Sequence, residues 1–332
     1  MGNPKISVLL PFYNCEETLE EAIESIIDQT FKDFELLLID NGSTDNCSEI
    51  ANVYASKDKR IVLLNESRTG TAYALNTGLE VAKGQYIARM DADDLSQPDR
   101  FEKQYTFLEE NSNIGLVSSR VRHVAKDVEQ QTMLDSVIWS NKVVTHEEIS
   151  VSRFVEPPVV HSTVFYRKEL IEKYGEYQPG DFPTDYEMCL RLLEKGVIME
   201  KLPDYLVEWY DYPERSKRND DRFNMQAFYE IKSHYLYRYL NEQNAWQPFV
   251  VVWGAGRVSR RYFSYLHELG IWPKFFIDIH ANEERNVIQY KHTPPAGNHF
   301  ILSYVTNRGA RENIREFLVD LGYIEGKDFL CL

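Results

Sequence analysis

Short apolar runs alternate with stretches of helical period through the first hundred residues of this chain. Ile6 to Leu10 is a continuous apolar run, which suits a strand buried on both faces. Leu19, Ala22, Ile23, Ile26 and Ile27 then recur at helical spacing. Phe34 to Ile39, ending at Asp40, and the runs Ile61–Leu64 and Tyr86–Met90 read as further strands. Ala72, Leu75, Leu79 and Ala82 mark a helix before the last of them. Asn14, with Glu17 three residues on, has capping-box spacing, and Ser43 or Thr44 can cap a helix through Ala51 and Tyr54. This alternation predicts an α/β fold with a mostly parallel sheet wound by right-handed crossovers. Ligands of such sheets bind beyond the carboxyl ends of the strands, where Asn14, Asp40 and Asp91 all fall.

The pattern is less regular further on. Ile114–Ser118 and Val159–Tyr166 read as strands, and the polar stretch Lys126–Glu148 between them as a lid or acceptor loop. A helix starts at Asp185, Tyr205–Tyr212 is strand-like, and Arg222–Leu240 is a Tyr-rich helix. Pro248 opens a new unit, a small βαβ domain that begins Phe249-Val250-Val251-Val252-Trp253-Gly254-Ala255-Gly256. The expected division is therefore 1–217, a helical connector 218–247, and 248–332.

Composition narrows the function. A net charge of −15 over 332 residues argues against nucleic acid or an anionic membrane surface as partner. Cys15, Cys47, Cys189 and Cys331 are far apart in sequence, form no zinc-type pair, and read as reduced thiols of a cytoplasmic protein. The start shows no signal-peptide pattern, and no apolar run reaches the ~20 residues of a membrane span.

The candidate chemistry centres on Asp91-Ala92-Asp93-Asp94, directly after an apolar run. Carboxylates bunched at the end of a buried strand are costly unless a cation meets them. Mg²⁺ or Mn²⁺ carrying a phosphorylated ligand fits this need. On a still-extended chain Ala92 would leave Asp91 and Asp93 on one side. The competing reading is an N-cap, Asp93 or Asp94, for a helix through Arg100 to Glu109.

Ordered motifs run through residues 6 to about 215: Pro11-Phe12-Tyr13-Asn14, Gln29-Thr30-Phe31, Asp40-Asn41-Gly42-Ser43-Thr44-Asp45, Gly70 through Asn76-Thr77-Gly78, Asp91-Ala92-Asp93-Asp94, Pro98-Asp99-Arg100 and Thr184-Asp185. Their resemblance is to an inverting family 2 glycosyltransferase of GT-A fold. It implies a nucleotide-sugar pocket lined by Pro11, Phe12 and Tyr13, with the Tyr13 ring stacking on the base; the alternative for Tyr13 is a strand-end core residue. Asp40 and Asn41 would approach base and ribose. Most relatives of that family have Asp at the second position, and the Asn leaves the base open between uridine, guanosine and thymidine diphosphates. Arg68 stands where it would meet the diphosphate, or is an exposed loop arginine.

The resemblance also makes Asp93 the metal ligand, with Asp91 and Ala92 at the nucleotide sugar and Asp91 reaching ribose, or the metal through water. Asp94 is left as a cap or a supporting residue. Asp185 would be the general base that takes the acceptor hydroxyl's proton; locally it suits an N-cap equally well. His161 lines the donor or acceptor pocket, or is a satisfied core histidine. Trp209–Ser216 lacks the histidine that many relatives carry there, with Asp211 or Arg215 as substitutes. The implied partners are a nucleoside diphosphate sugar and a saccharide or lipid-linked saccharide acceptor met, at most, peripherally at a membrane.

Gly254-x-Gly256-x-x-Ser259 follows a strand and opens a helix, with Asp278 near the position of a ribose-binding acid. The missing third glycine and the short domain disfavour NAD. The unit resembles the Rossmann-like appendage of some bacterial glycosyltransferases. An NAD(P)-dependent oxidoreductase and a non-catalytic scaffold are the rival readings.

Overall fold

The computed structural model describes residues 2–125, 131–212 and 221–332. The chain forms two compact units, Met1–Ile149 with Pro157–Asp220, and Ser150–Glu156 with Asp221–Leu332.

The first unit begins with β1 (Ile6–Phe12), α1 (Leu19–Ile27), β2 (Phe34–Asp40), α2 (Cys47–Lys57), β3 (Ile61–Asn65), α3 (Thr71–Val81) and β4 (Tyr86–Arg89). It continues with β5 (Leu95–Ser96), α4 (Arg100–Glu110), β6 (Ile114–Ala125), α5 (Gln131–Lys142) and α6 (His146–Ser152), the last crossing into the second unit. Then come β7 (Phe165–Arg167), α7 (Glu169–Tyr174), α8 (Thr184–Glu194) and β8 (Ile198–Asp211). Its sheet has the order β3-β2-β1-β4-β7-β6-β8-β5. Strands β3, β2, β1 and β4 are parallel; β7 and β5 run against their neighbours.

Continuous apolar runs bury both faces, as the pattern predicts. Val8 and Leu10 pack with Leu19, Ala22, Ile23 and Ile26 of α1. Leu9, between them, packs on the other face with Leu37, Ile39, Leu75 and Leu79. A Cβ on Gly78 would stand 2.8 Å from Leu9 Cδ2, so a larger residue would force that side chain or α3 to shift.

Several local expectations are corrected. Asn14 does not cap α1: its backbone is left-handed (φ 46°), and its Oδ1 accepts from Thr44 N at 2.8 Å. Neither Ser43 nor Thr44 caps α2, whose cap position is Asn46. Within the supposed loop 126–148, residues 126–130 lie outside the described residues, and α5 and α6 occupy most of the rest. The expected strand 159–166 is instead a 3-10 turn, His161–Thr163, leading into β7.

The second unit holds α9 (Met225–Gln243), β9 (Phe249–Trp253), α10 (Arg257–Glu268), β10 (Trp272–Asp278), β11 (Val287–Gln289), β12 (Ile301–Ser303), α11 (Arg308–Asp320) and β13 (Phe329–Cys331). All five strands are parallel, in the order β11-β10-β9-β12-β13. Ser150–Glu156 is built into this unit. The Phe154 carbonyl accepts from Lys232 Nζ at 2.9 Å, and Glu156 pairs with Arg308 at 2.8 Å. Among the described residues, no helix is long and apolar enough to cross a membrane.

Candidate active site

The carboxyl ends of β1, β2 and β4 form one rim. Parallel register sets Phe12 beside Asp40, and the Asn41 N–H donates to the Phe12 carbonyl at 2.9 Å. The Phe12 side chain belongs to the core, whereas Tyr13 is 53% exposed. A core role for Tyr13 is thereby set aside. Pro11 is half-buried.

Asp40 is buried. It accepts from Ser43 N at 2.8 Å and from the Ser48 hydroxyl. Asn41 donates through Nδ2 to the carbonyls of Glu66 (3.1 Å) and Arg68 (2.7 Å), and accepts from Gly70 N at 2.9 Å. Its amide staples the loop between β3 and α3. Arg68 is exposed in that loop, paired with Glu66 at 2.5 Å and lying over the Tyr73 ring at 4.7 Å. The pairing with Arg68 pulls Glu66 down to about 2.

After β4 the chain turns rather than staying extended: Asp94 N–H donates to the Asp91 carbonyl at 3.4 Å. The turn gathers all three acids, and one oxygen from each of Asp91, Asp93 and Asp94 lies within 4.8 Å of the others. None of them caps α4, which starts at Arg100 after β5 intervenes, with Asp99 at the cap position. Carboxylate oxygens are the ligands that hard divalent ions take, so this donor set fits one. Asp91 and Asp93 are half-buried. Ala92 packs into the core. Asp94 is fully buried and accepts from Tyr210 N at 3.1 Å.

The end of β8 borders this turn. The Tyr212 hydroxyl is pushed up to about 12 by burial and then by the charge of Asp93. Asp211 is buried and lies 3.4 Å from His123 Nε2, so a histidine does meet this segment, from β6. Sequence reasoning missed His123, because only the β6–β8 register, which sets it beside Trp209, reveals it. Arg215 lies outside the described residues.

Asp185 is the second residue of α8, not its N-cap, which is Pro183. It still serves the helix start, accepting from Tyr186 N at 2.8 Å. Together with His161, Pro157, Val159 and Val164 it lines a cavity of about 20 Å³, room for about one water. His161 is buried, with Nε2 3.0 Å from the Tyr177 hydroxyl. Burial pushes that hydroxyl up to about 12; the charge of Arg89 opposes the shift and that of Asp185 adds to it. His161 and Asp185 thus line one small, mostly apolar pocket.

Comparison with known proteins identifies the family and the fold. The model of glycosyl transferase family 2 matches residues 7–175, half of the chain. The chain belongs to that family. Over 256 residues it is 29% identical to the uncharacterized glycosyltransferase MJ1057 of Methanocaldococcus jannaschii, covering 75% of this chain and 86% of the relative. Over 205 residues it is 31% identical to the amylovoran biosynthesis glycosyltransferase AmsE of Erwinia amylovora, covering 61% and 74%. The structure of S. aureus TarS residues 1–349, in complex with UDP-GlcNAc, shares the fold at a TM-score of 0.57 and 19% identity, covering 80% of this chain and 71% of that one. This family 2 chain is a glycosyltransferase with a GT-A fold, and its second parallel sheet is an additional element.

In that second sheet the glycine loop is tied to its own fold. Asp278 accepts from Ala255 N and from Ile279 N, each at 2.7 Å. Ser259, where a third glycine would stand, donates to the Tyr304 carbonyl at 3.1 Å.

Proposed function

We propose that the first unit moves a sugar from a nucleoside diphosphate sugar to an acceptor hydroxyl, with inversion and with Mg²⁺ or Mn²⁺. The observation that carries this reading is the turn that gathers Asp91, Asp93 and Asp94 on the strand-end rim of a family 2 sheet. Asp93 is the protein ligand, and Asp91 serves ribose or a metal-bound water. A divalent ion held there neutralises the diphosphate and stabilises the charge that grows on the leaving group. Tyr13 offers its exposed ring to the base. Asp185 takes the acceptor's proton as its oxygen attacks the anomeric carbon, so a single displacement suffices. TarS, with UDP-GlcNAc in its solved complex, is consistent with a nucleotide-sugar donor. Relatives named for amylovoran and O-antigen biosynthesis support a surface saccharide acceptor.

The geometry of the second unit disfavours the oxidoreductase reading. Two of the roughly four acceptor sites of Asp278, the acid placed for ribose, go to backbone N–H groups of its own fold. Thermal shift with UDP, GDP, dTDP and NAD, each with and without Mn²⁺, tests the assignment. A metal-dependent shift with one nucleoside diphosphate is expected. A shift with NAD alone would overturn it.

A further inference from the structure

Arg89 ends β4 two residues before Asp91, and its side chain is only 2% exposed. A buried guanidinium carries a large desolvation cost. A second one, Arg100, lies beside it and donates to the Arg89 carbonyl at 2.8 Å. Burial and the charge of Arg89 bring Arg100 down to about 9. The chain therefore keeps two cations together in its interior, an arrangement that stability alone does not favour.

The bonds of Arg89 point to its use. Nη2 donates to Asp91 Oδ1 at 2.5 Å. Nε and Nη1 have no hydrogen-bond partner among the described residues, so the fork is not there to serve the fold's own carbonyls. Its charge also reaches the fully buried hydroxyls of Tyr166 and Tyr177, which stand 3.5 Å apart, and Tyr177 meets His161. Arg89 is thus coupled both to the acid turn and to the pocket that holds Asp185.

We infer that Arg89 is a positioning residue that holds one oxygen of Asp91 and so orients the acid turn for its divalent ion. This rests on the metal reading given above. Groups that orient a metal's ligands change its affinity by about 10–100-fold when lost. Electrostatics alone predicts the opposite sign, because deleting a neighbouring cation removes repulsion toward Mn²⁺ and tightens binding. The sign of the effect therefore separates orientation from charge, and a merely structural role moves neither.

The test is Mn²⁺ titration of the full chain, followed by the electron paramagnetic resonance signal of free Mn²⁺, alone and with GDP or UDP. Wild type, Arg89→Met, Arg89→Lys and Asp93→Asn are compared, with melting temperature as the folding control. Asp93→Asn should lose Mn²⁺. Arg89→Met should bind it about tenfold more weakly or worse. Arg89→Lys keeps the charge without the fork and should also weaken binding, which decides the matter if the methionine variant does not fold. Equal or tighter Mn²⁺ binding by the folded Arg89 variants overturns the inference and leaves the metal reading standing. A wild type that binds no Mn²⁺ at all overturns both.

Discussion

Asn41 Oδ1 accepts the backbone N–H of Gly70 at 2.9 Å, across the gap between two strand ends. The same amide donates to two carbonyls of that loop. An aspartate has no N–H to give them. Asn41→Asp should therefore destabilise this chain by about 1–3 kcal/mol. A chemical denaturation curve checks it; stability equal to wild type would show that the staple carries no weight.

Asp185→Asn keeps the size and the bond to Tyr186 N but removes a base. Turnover should fall by at least about 100-fold while nucleotide binding persists. Single-turnover assays beside a binding isotherm read the two separately. Unaltered turnover would remove Asp185 from the base role.

Two lysines make stability depend on pH. Lys201 donates to the carbonyls of Ser140 and Pro158, and Lys232 to that of Phe154. Burial brings both down to about 7. The unfolded chain keeps these protons up to the ordinary lysine range of about 10.4, so above pH ~7 it binds more protons than the folded chain. Stability should rise between pH ~7 and ~9, each lysine contributing up to about 1.4 kcal/mol per pH unit. Urea midpoints across that window check the slope, and Lys201→Met with Lys232→Met should flatten it.

Cys15 and Cys47, far apart in sequence, bring their sulfurs to 3.7 Å, and Cys15 N–H donates to Cys47 Sγ at 3.2 Å. The bond to Cys47 and then burial push the Cys15 thiol well up, which slows its oxidation at neutral pH. Diamide should cross-link this pair, faster as pH rises, with loss of two hydrogens and with Cys189 and Cys331 still alkylatable. Peptide mapping under non-reducing conditions decides it; equal labelling of all four thiols would count against the pairing.

The alternation of strand and helix was legible because β1, β2 and β4 are runs buried on both faces, and periodicity reports burial. Asp40 and Asp91 were placed on one rim for the same reason. Loop roles were not legible. Asn14 has a cap's spacing, yet its side chain meets Thr44, a residue that only the folded rim brings near. The acid turn, the Asn41 staple, the cysteine pair and His123 all depend on contacts between distant segments. Val159–Tyr166 reads as a strand by its apolar content, but its backbone turns at His161 and places that ring against Tyr177.

Ser150–Glu156 belongs to the second unit, although residues of the first unit flank it on both sides. Phe154 is buried there, and Arg308 and Arg311 both reach Glu156. The protein is therefore not a transferase with a detachable tail. A shortened form ending near 217 would keep that segment and lose everything it was shaped to meet. A hybrid that borrows the tail from a cousin would inherit a mismatched graft in the middle of its own sequence. Substitutions in the two stretches are therefore expected to change together.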